Sequence, residues 1–512
     1  MMNDHRSDRR RQIHLAPAGF CNPSRLPGRP RAIVVGAGIA GLTAATGLAE
    51  RGVAVEVVER ERYLGGRVGG WTEQHDGATL AMNRGFHAFF RQYYNLRELL
   101  RRIDRRLRML TPVEDYPLVD GTGRRDSFRG LPRTPPWNAL AFAARSPTFR
   151  LRDFARIDAR AAAPLAAVSV PEIYRRLDHL DAETFLKSIR FPEAARHLAF
   201  EVFSRSFFAD PAQLSAAELA TMFHIYFLGS SEGLIFDVAD ANYDTALWQP
   251  LQSYLEERGV RFRRGASALR VDERGAKGFR VHTDSAGHLD ADAVVLATHV
   301  AGLQRIVAAS PGLADDTWRA RIAAMRIAPS FAVHRLWLDR PVAPGRPAFL
   351  GTAGHKPLDN ISVLERYEHQ AAQWAQAHRG SVVELHSYAL ECAPSTAAAM
   401  RQLHRLYPET AAAQVVYERV LHRGDCPLFA PGTYADRPGV VSPVDGLVLA
   451  GDGIRVDLPV ALMERAATTG WCAANRLLRR WDLAGHSLQT VPNHGRMPLL
   501  RWLATREGSD RR

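Results

Sequence analysis

One stretch near the N-terminus decides the fold: Ala32-Ile33-Val34-Val35-Gly36-Ala37-Gly38-Ile39-Ala40-Gly41. An apolar strand runs into a glycine turn, and a helix begins directly after it. Bare backbone at Gly36 and Gly38 lets the chain approach a pyrophosphate, and Gly41 lets the helix pack closely on the strand. The helix N-terminus adds unpaired N–H groups and a positive dipole. The stretch therefore predicts that residues 36–41 bind the diphosphate of a dinucleotide.

The chain after this helix supports the same site. A second apolar strand covers residues 53–58 and ends at Glu59, where a ribose hydroxyl needs an acceptor. A lone Gly-x-Gly-x-x-Gly is weak evidence, because it arises by chance in chains rich in alanine and glycine. The full order of strand, turn, helix, strand and acid predicts an adenine dinucleotide. Glu59 and the adjacent Arg60 are predicted to bind it.

Two further glycine turns identify the dinucleotide. The first, Leu64-Gly65-Gly66-Arg67, offers a second close approach of backbone and a guanidinium for the phosphates. The second ends a buried strand within residues 446–453 and precedes a helix over residues 460–478. Taken alone, this last segment is equally typical of any α/β domain. In this order the three turns predict FAD, bound without a covalent link. The contacts expected from the two turns are Gly65, Gly66, Arg67, Gly451 and Asp452.

Composition excludes several classes of function. The 512 residues are 46% hydrophobic and carry 67 Lys and Arg against 54 Asp and Glu, a net charge of +13. Such a chain is globular and long enough for two or three domains. We expect no nucleic-acid partner, because there is no nucleic-acid-binding module and no lysine-rich run. Four widely spaced cysteines indicate a reducing compartment and no metal site.

The order of segments predicts an α/β fold with interleaved domains. A Rossmann-like FAD-binding domain alternates with an α+β substrate domain. In the substrate domain, residues 181–228 have helical spacing, and residues 331–338 and 382–390 alternate as strands of an antiparallel sheet. The predicted boundaries are a disordered basic tail over 1–30, the FAD domain over 31–100, 245–305 and 438–482, the substrate domain over 101–244 and 306–437, and a C-terminal tail over 483–512.

Three groups of residues resemble a known superfamily. They are Gly85-Phe86-His87-Ala88-Phe89-Phe90-Arg91-Gln92-Tyr93-Tyr94-Asn95, then Phe191-Pro192, Val202-Phe203 and Asp210-Pro211 with Leu214-Ser215-Ala216, then Leu449-Ala450-Gly451-Asp452 with Met463-Glu464. Together they resemble the plant-type carotene desaturases of the flavin amine oxidase superfamily, over residues 31–480. Residues 83–87 and 90–97 are most similar to the actinobacterial isorenieratene synthases, which are β-carotene desaturase/methyltransferases.

The resemblance implies a chemistry for the chain. A lipophilic carotenoid would lose a hydride to the flavin, so the cofactor would perform the oxidation of the C–H bond. Aromatising a β-ionone ring needs two dehydrogenations, and its gem-dimethyl carbon requires a 1,2-methyl shift through a carbocation, with no external methyl donor. An isorenieratene-type product results. Further flavin contacts implied by the resemblance are Gly85, Phe86, Ala268 and Met463.

His87 is the candidate catalytic residue, as a proton acceptor or a stabiliser of a cation. The alternative is that it only hydrogen-bonds to backbone or flavin. Aromatic residues in 223–227 and 86–93 are candidates for a polyene tunnel, with core packing as the alternative. Two segments depart from the desaturase pattern. Arg465 replaces a glycine that lets backbone approach the flavin, and Gly453-Ile454-Arg455 replaces the common aromatic or threonine.

Other functions stay open at this point. A carotene desaturase acting on a linear polyene is one alternative, and a flavin-bearing binding protein that never turns over is another. A flavin amine oxidase is a third alternative. The electron acceptor that reoxidises the flavin is unknown, and a quinone is the candidate.

A carotene partitions into lipid, so we expect a peripheral membrane protein on the cytoplasmic face of the cell membrane. No uncharged apolar run reaches the roughly eighteen residues that a spanning helix needs. Two segments combine apolar residues with arginine, as interfacial segments do. They are Trp137, Leu140 and Phe142 with Arg133 and Arg145, and Met497, Leu499, Leu500, Trp502 and Leu503 with Arg496, Arg501 and Arg506. The alternative is that each packs on its own domain.

Overall fold

The computed structural model describes residues 8–26, 28–75, 77–148, 156–193, 207–285 and 287–494. The strands in these ranges are β1 (Gln12–His14), β2 (Arg31–Val35), β3 (Ala54–Glu59), β4 (Gly70–His75), β5 (Ala78–Asn83), β6 (Phe89–Phe90), β7 (Leu110–Pro112), β8 (Leu118–Val119), β9 (Arg125–Asp126), β10 (Phe236–Ala239), β11 (Arg261–Arg264), β12 (Ala268–Glu273), β13 (Phe279–Thr283), β14 (His288–Ala291), β15 (Ala293–Leu296), β16 (Arg326–Ile327), β17 (Ser330–Leu338), β18 (Phe349–Thr352), β19 (Asn360–Val363), β20 (Ser381–Leu390), β21 (Val415–Arg423), β22 (Pro427–Leu428), β23 (Leu447–Leu449) and β24 (Leu488–Thr490).

The α-helices in the same ranges are α1 (Ile39–Ala49), α2 (Tyr94–Leu100), α3 (Trp137–Arg145), α4 (Ala159–Ala166), α5 (Glu172–Leu177), α6 (Ala182–Ser188), α7 (Ala216–Phe223), α8 (Gln249–Glu256), α9 (Val300–Ala308), α10 (Asp316–Ala323), α11 (His369–His378), α12 (Thr396–Leu406) and α13 (Leu462–Arg480). The prediction of helical structure over residues 181–228 is confirmed in part. It contains α6, α7 and a π-helical turn over His224–Leu228, and residues 194–206 lie outside the described ranges.

A five-stranded parallel sheet forms the first layer, in the order β11-β3-β2-β15-β23. Strand β15 is buried along its whole length, and β2 is buried except at Arg31. Continuous apolar runs are typical of parallel strands that are covered on both faces. Strand β2 ends at Val35, and α1 begins at Ile39, as the glycine turn predicts. This carboxyl edge of the sheet is where such folds bind ligands.

Helices α1 and α13 pack against each other almost backbone to backbone. A Cβ atom on Gly470 would lie 2.4 Å from the Ala40 carbonyl oxygen, and one on Gly47 would lie 2.7 Å from the Ala474 Cβ atom. Small residues at the contact therefore set the distance between the two helices. This contact brings the N-terminal turn of α13 to the same sheet edge as the glycine turn.

A seven-stranded sheet forms the second layer, in the order β21-β17-β20-β19-β18-β8-β9. Strands β17 and β20 pair antiparallel, which confirms the prediction for residues 331–338 and 382–390. On one side of the sheet, Leu336 and Leu385 pack with Leu403 of α12 in an apolar core. Other residues of the same two strands, Val333 and His386, line a cavity.

The prediction of a disordered tail over residues 1–30 is wrong for its described part. Strand β1 pairs antiparallel with β24, and Phe20 bridges to Leu483. The His14 ring also hydrogen-bonds to the Thr490 hydroxyl at 3.0 Å. Strands β1 and β24 satisfy each other's backbone groups, so residues 483–494 belong to the fold and are not a separate tail. The predicted membrane residues 496–506 lie outside the described ranges.

A buried ion network ties helix α7 to helix α13. The Glu218 carboxylate on α7 binds Arg465 on α13 at 2.8 Å and Arg437 at 2.8 Å. Burial by itself would raise the pKa of Glu218, but the two guanidinium groups lower it. All three side chains are at least nine-tenths buried. The network therefore holds two cations in the core with one anion between them.

Glu218→Ala should lower the free energy of unfolding by about 3–5 kcal/mol, because it leaves buried guanidinium groups unpaired. Urea denaturation of purified protein measures this change. Glu172→Ala is the matched control, since Glu172 pairs with Arg175 on the surface; exposed pairs contribute about 0–1 kcal/mol. A loss below 1 kcal/mol in Glu218→Ala would contradict the assignment of the network.

Candidate active site

A cavity of about 1150 Å³ lies between the edge of the parallel sheet and the antiparallel sheet. It runs from the glycine turn, past Gly85 and His87, to Phe128 and Leu131. Most of the residues that the sequence predicts for the site line it: Gly36, Gly38, Ile39, Ala40, Glu59, Arg60, Gly65, Gly66, Arg67, Gly85, Phe86, His87, Ala268, Gly451, Asp452 and Met463. Ala37 and Gly41 are also predicted to contact the cofactor, but neither lines the cavity.

The three glycines of the turn have different roles. Gly36 has a φ of +102°, which favours glycine, and a Cβ atom there would lie 2.6 Å from the Ala297 carbonyl oxygen. A Cβ atom on Gly41 would lie 1.9 Å from the Gly36 carbonyl oxygen, so Gly41 serves the packing of α1. A Cβ atom on Gly38 would meet no protein atom closer than 3.9 Å. The protein itself leaves room at Gly38, and that room faces the cavity.

Glu59 is held in place by backbone groups. Its Oε2 atom accepts a hydrogen bond from the Ala37 N–H at 2.6 Å, and its Oε1 atom accepts one from the Glu61 N–H at 2.8 Å. Burial raises the pKa of Glu59. A carboxylate offers about four acceptor positions, so acceptor capacity remains for the predicted ribose hydroxyl. Ala37 therefore contributes by fixing Glu59.

Two ion pairs lie in the cavity wall. Arg67 pairs with Asp452, so the structure brings together two residues that the sequence predicts separately. Burial opposes the charge of Arg67, but Asp452 raises its pKa above the ordinary value. Arg84 pairs with Asp425 at 2.7 Å, and sequence reasoning missed both of these residues. The only signal for Arg84 is its position directly before the motif that begins at Gly85.

Buried polar atoms on the cavity wall point to a polar ligand. Arg84 Nε, Asp425 Oδ1 and Thr298 Oγ1 are buried and have no hydrogen-bond partner among the described residues. All three residues line the cavity. Buried polar atoms in proteins are nearly always hydrogen-bonded. FAD would supply such partners through its diphosphate and hydroxyl groups. The free space at Gly38, called the FAD cradle below, and the acceptor oxygens of Glu59 also fit this cofactor.

The candidate catalytic residue His87 lies in this wall. Its Nδ1 atom is 3.0 Å from the Gly85 carbonyl oxygen, and its backbone N–H donates to the Tyr243 hydroxyl at 3.0 Å. Burial lowers the pKa of His87 to about 4. The imidazole is therefore neutral at physiological pH and donates its Nδ1 proton to Gly85. This geometry matches the alternative in which His87 binds backbone.

Arg465, the departure from the desaturase pattern, points away from the cavity. Its guanidinium binds Glu218 and the Val460 carbonyl oxygen. Its neighbours Met463 and Ala466 line the cavity. The arginine therefore leaves the approach to the cofactor open, contrary to the expectation from sequence.

Comparison with known proteins agrees with this geometry. Residues 39–478 match the model of the family described as flavin containing amine oxidoreductase. The chain belongs to the flavin-containing amine oxidoreductases. FAD is its cofactor, and the resemblance to the carotene desaturases is confirmed.

Several relatives of this oxidoreductase are similar over long stretches. A carotenoid phi-ring synthase from Streptomyces griseus is 57% identical over 505 residues, which cover 98% of each chain. A carotenoid phi-ring synthase from Chlorobaculum tepidum is 26% identical over 91% of each chain. A zeta-carotene desaturase from Synechocystis sp. is 29% identical over 240 residues, 45% of this chain and 48% of its own.

Solved structures share the fold of the oxidoreductase. Putrescine oxidase bound to putrescine has a TM-score of 0.64 at 17% identity and covers 88% of this chain and all of its own. Cyclohexylamine oxidase from Brevibacterium oxydans has a TM-score of 0.63 at 16% identity, with the same coverage. The predicted α/β architecture of the amine oxidase type is thereby confirmed.

Gly38→Val should abolish FAD binding without unfolding the protein. Gly38 has a φ of −74°, which suits any residue, and a valine side chain there would enter only the space left for the cofactor. The absorbance of flavin released from purified protein, together with far-UV circular dichroism, measures both effects.

Gly41→Val is the matched control, because its side chain would collide with the Gly36 carbonyl and should lower stability whether or not FAD is present. A folded Gly38→Val protein that keeps a full flavin spectrum would refute the placement of the diphosphate.

Proposed function

We propose that this oxidoreductase desaturates and aromatises the β-ionone ring of β-carotene, with an intramolecular 1,2-methyl shift that gives an isorenieratene-type product. The observation that carries the proposal is one cavity that joins the FAD cradle at Gly38 to a chamber of aromatic side chains. The identity of 57% with a carotenoid phi-ring synthase over nearly the whole chain supports it.

The aromatic chamber suits an apolar ring that becomes cationic. Phe86 contacts Phe349 with ring centroids 4.4 Å apart, and Phe90 contacts Phe236 at 5.2 Å. Phe86, Phe90 and Phe236 line the cavity, together with Tyr116. The faces of aromatic rings attract cations. The chamber would therefore bind the hydrocarbon by burial, and its ring faces would stabilise positive charge on it.

The chemistry follows from the structure of the ring. FAD, when bound, accepts the hydride that leaves a ring carbon. Each of the two dehydrogenations removes one hydride and one proton. The gem-dimethyl carbon has four carbon substituents, so a methyl group must move with its electron pair to the neighbouring cationic carbon. This neighbouring carbon then loses its proton, and the electron pair of that C–H bond completes the aromatic ring.

Different residues of this chain would bind the cofactor and orient the substrate. Gly38, Glu59, Arg67 and Asp452 would hold the cofactor along the sheet edge, while the aromatic side chains orient the ring and exclude water. His87, neutral at physiological pH, would keep the Gly85 loop in place through the Gly85 carbonyl.

Co-expression in a bacterium that makes β-carotene tests the proposal. The pigment should lose four hydrogens for each ring that reacts and keep its carbon count, as read by absorption and mass. A strain that accumulates phytoene or ζ-carotene is the comparison. New linear polyenes there, with β-carotene unchanged, would replace the proposal by a linear-polyene desaturase. Bound flavin with no new pigment in either strain would indicate a binding protein.

An intramolecular shift also predicts the origin of the migrated methyl group. Conversion should persist in extracts depleted of S-adenosylmethionine, and methyl-labelled S-adenosylmethionine should leave the product unlabelled. Mass analysis of the pigment reads the label. Label in the aromatic ring would refute the mechanism.

We also propose that the enzyme is cytoplasmic and docks on the inner face of the cell membrane to collect its substrate, with a quinone of the same bilayer as electron acceptor. Trp137 and Leu140 on α3 are 62% and 52% exposed, and Arg133 nearby lines the cavity. Phe142, the third residue expected at the membrane, is instead buried and stacks on Phe128. Among the described residues, no helix is long and apolar enough to cross a bilayer.

Flotation with anionic liposomes tests the docking surface. Wild-type protein should float at low salt, and the double variant Trp137→Ser, Leu140→Ser should float much less, because insertion of apolar side chains drives interfacial binding. Val415→Ser with Val416→Ser, two exposed residues on β21, is the control and should float like wild type. Wild-type protein that stays at the bottom at low and high salt would contradict membrane docking.

A further inference from the structure

Three polar side chains form a continuous chain on strand β20. Glu384, His386 and Tyr388 are two residues apart, so they project from the same face of the strand. His386 Nε2 lies 2.7 Å from Glu384 Oε1, and His386 Nδ1 lies 2.6 Å from the Tyr388 hydroxyl oxygen. His386 and Tyr388 line the cavity, while Glu384 is fully buried behind them.

The direction of these hydrogen bonds is set by Glu384. Arg335 on the neighbouring strand β17 binds the other oxygen of Glu384, with Nη2 at 2.7 Å from Oε2. Burial by itself would raise the pKa of Glu384, but Arg335 and the hydrogen bond from His386 lower it to about 2. An ionised carboxylate can only accept, so His386 carries its proton on Nε2. His386 Nδ1 then accepts the Tyr388 hydroxyl proton.

This arrangement has a known chemical use. A hydroxyl, an imidazole and a buried carboxylate in series allow the imidazole to take the hydroxyl proton while the carboxylate stabilises the imidazolium. The hydroxyl oxygen then becomes a base. Here the series ends at a tyrosine on a cavity wall.

These three hydrogen-bonded side chains lie beside the motif that begins at Gly85, which the resemblance places near the flavin. Gly85 packs against His386, since a Cβ atom on Gly85 would lie 3.5 Å from His386 Cε1. The Tyr388 ring meets Phe208 with centroids 5.1 Å apart, and Phe208 meets Phe331 at 4.8 Å. Phe208 and Phe331 also line the cavity. The Tyr388 hydroxyl is therefore a polar group set in an aromatic wall, where an apolar substrate would contact it.

We propose that the Tyr388 hydroxyl, positioned by His386 and Glu384, accepts the ring protons that aromatisation releases; this inference rests on the proposed function. In each dehydrogenation, one ring C–H bond would lose its hydride, the chemistry that FAD supplies when it is bound. A second C–H bond gives its proton to the tyrosine oxygen, and its electron pair becomes the new C=C bond. The tyrosine proton passes to His386 Nδ1, which leaves an imidazolium paired with the Glu384 carboxylate.

His87, the acceptor expected from sequence, is the weaker candidate. Its Nδ1 atom lies 3.0 Å from the Gly85 carbonyl oxygen, where His386 has a carboxylate on its own ring nitrogen. Burial lowers the pKa of His87 to about 4, so it would release a captured proton readily. His386 has the buried anion that an imidazolium needs.

Tyr388→Phe tests the proposal in the holoprotein. The loss of the first two ring hydrogens from β-carotene supplied in phosphatidylglycerol vesicles is measured in a single anaerobic turnover, with pigments resolved by chromatography and mass. We expect a rate loss of about 100-fold or more, with wild-type FAD content and thermal stability. Tyr417→Phe, on strand β21 and in contact with His75, is the control and should retain the wild-type rate within twofold. A Tyr388→Phe rate within threefold of wild type would overturn the proposal.

A second measurement does not depend on turnover. Nitrogen NMR of ¹⁵N-histidine-labelled protein, with the His386 signal assigned by its loss in His386→Gln, should show the Nε2–H tautomer. Glu384→Gln should weaken that preference. The Nδ1–H tautomer in wild-type protein would overturn the proton relay. Wild-type protein that converts no carotene would refute the proposed function instead, and the relay would then be supported or overturned by the tautomer.

Discussion

The whole site depends on how closely helix α1 approaches the end of strand β2. Gly41 lies so near the Gly36 carbonyl that no side chain fits between them. This contact fixes the N-terminus of α1 at the sheet edge, where its N–H groups face the cavity. Helix α13 is fixed on α1 in turn by Gly47 and Gly470, and it carries Met463 to the same cavity. The lack of side chains at these glycines therefore determines where a cofactor can lie.

The two sheets give the cavity two different walls. The parallel sheet contributes bare backbone, Glu59 and the Arg67–Asp452 pair, which suit a charged and hydroxylated cofactor. The antiparallel sheet and its neighbours contribute aromatic rings such as Phe331 and Phe208, with polar side chains such as Tyr388 among them. A hydrocarbon and a dinucleotide can therefore share one cavity, since each contacts the wall that matches its polarity.

Local patterns in the sequence predicted most of the residues that line the cavity at the edge of the parallel sheet. The glycine turns, Glu59 and Asp452 lie on short strand–turn–helix units, so their neighbours in sequence are also their neighbours in space. The relay was not predictable in this way. In the sequence, Glu384, His386 and Tyr388 indicate only an alternating strand. Arg335 pairs with Glu384 and Gly85 packs on His386, and both of these residues are distant in sequence. The pairing of β1 with β24 was missed for the same reason.

The central claim is that one cavity holds both FAD and the ring of the substrate. A crystal structure of the holoprotein soaked with β-carotene tests it most directly. The account predicts density for the FAD diphosphate beside Gly38, and density for a β-ionone ring in the aromatic chamber within contact distance of Tyr388. Diphosphate density away from the glycine turn, or a ring bound outside this cavity, would contradict the account.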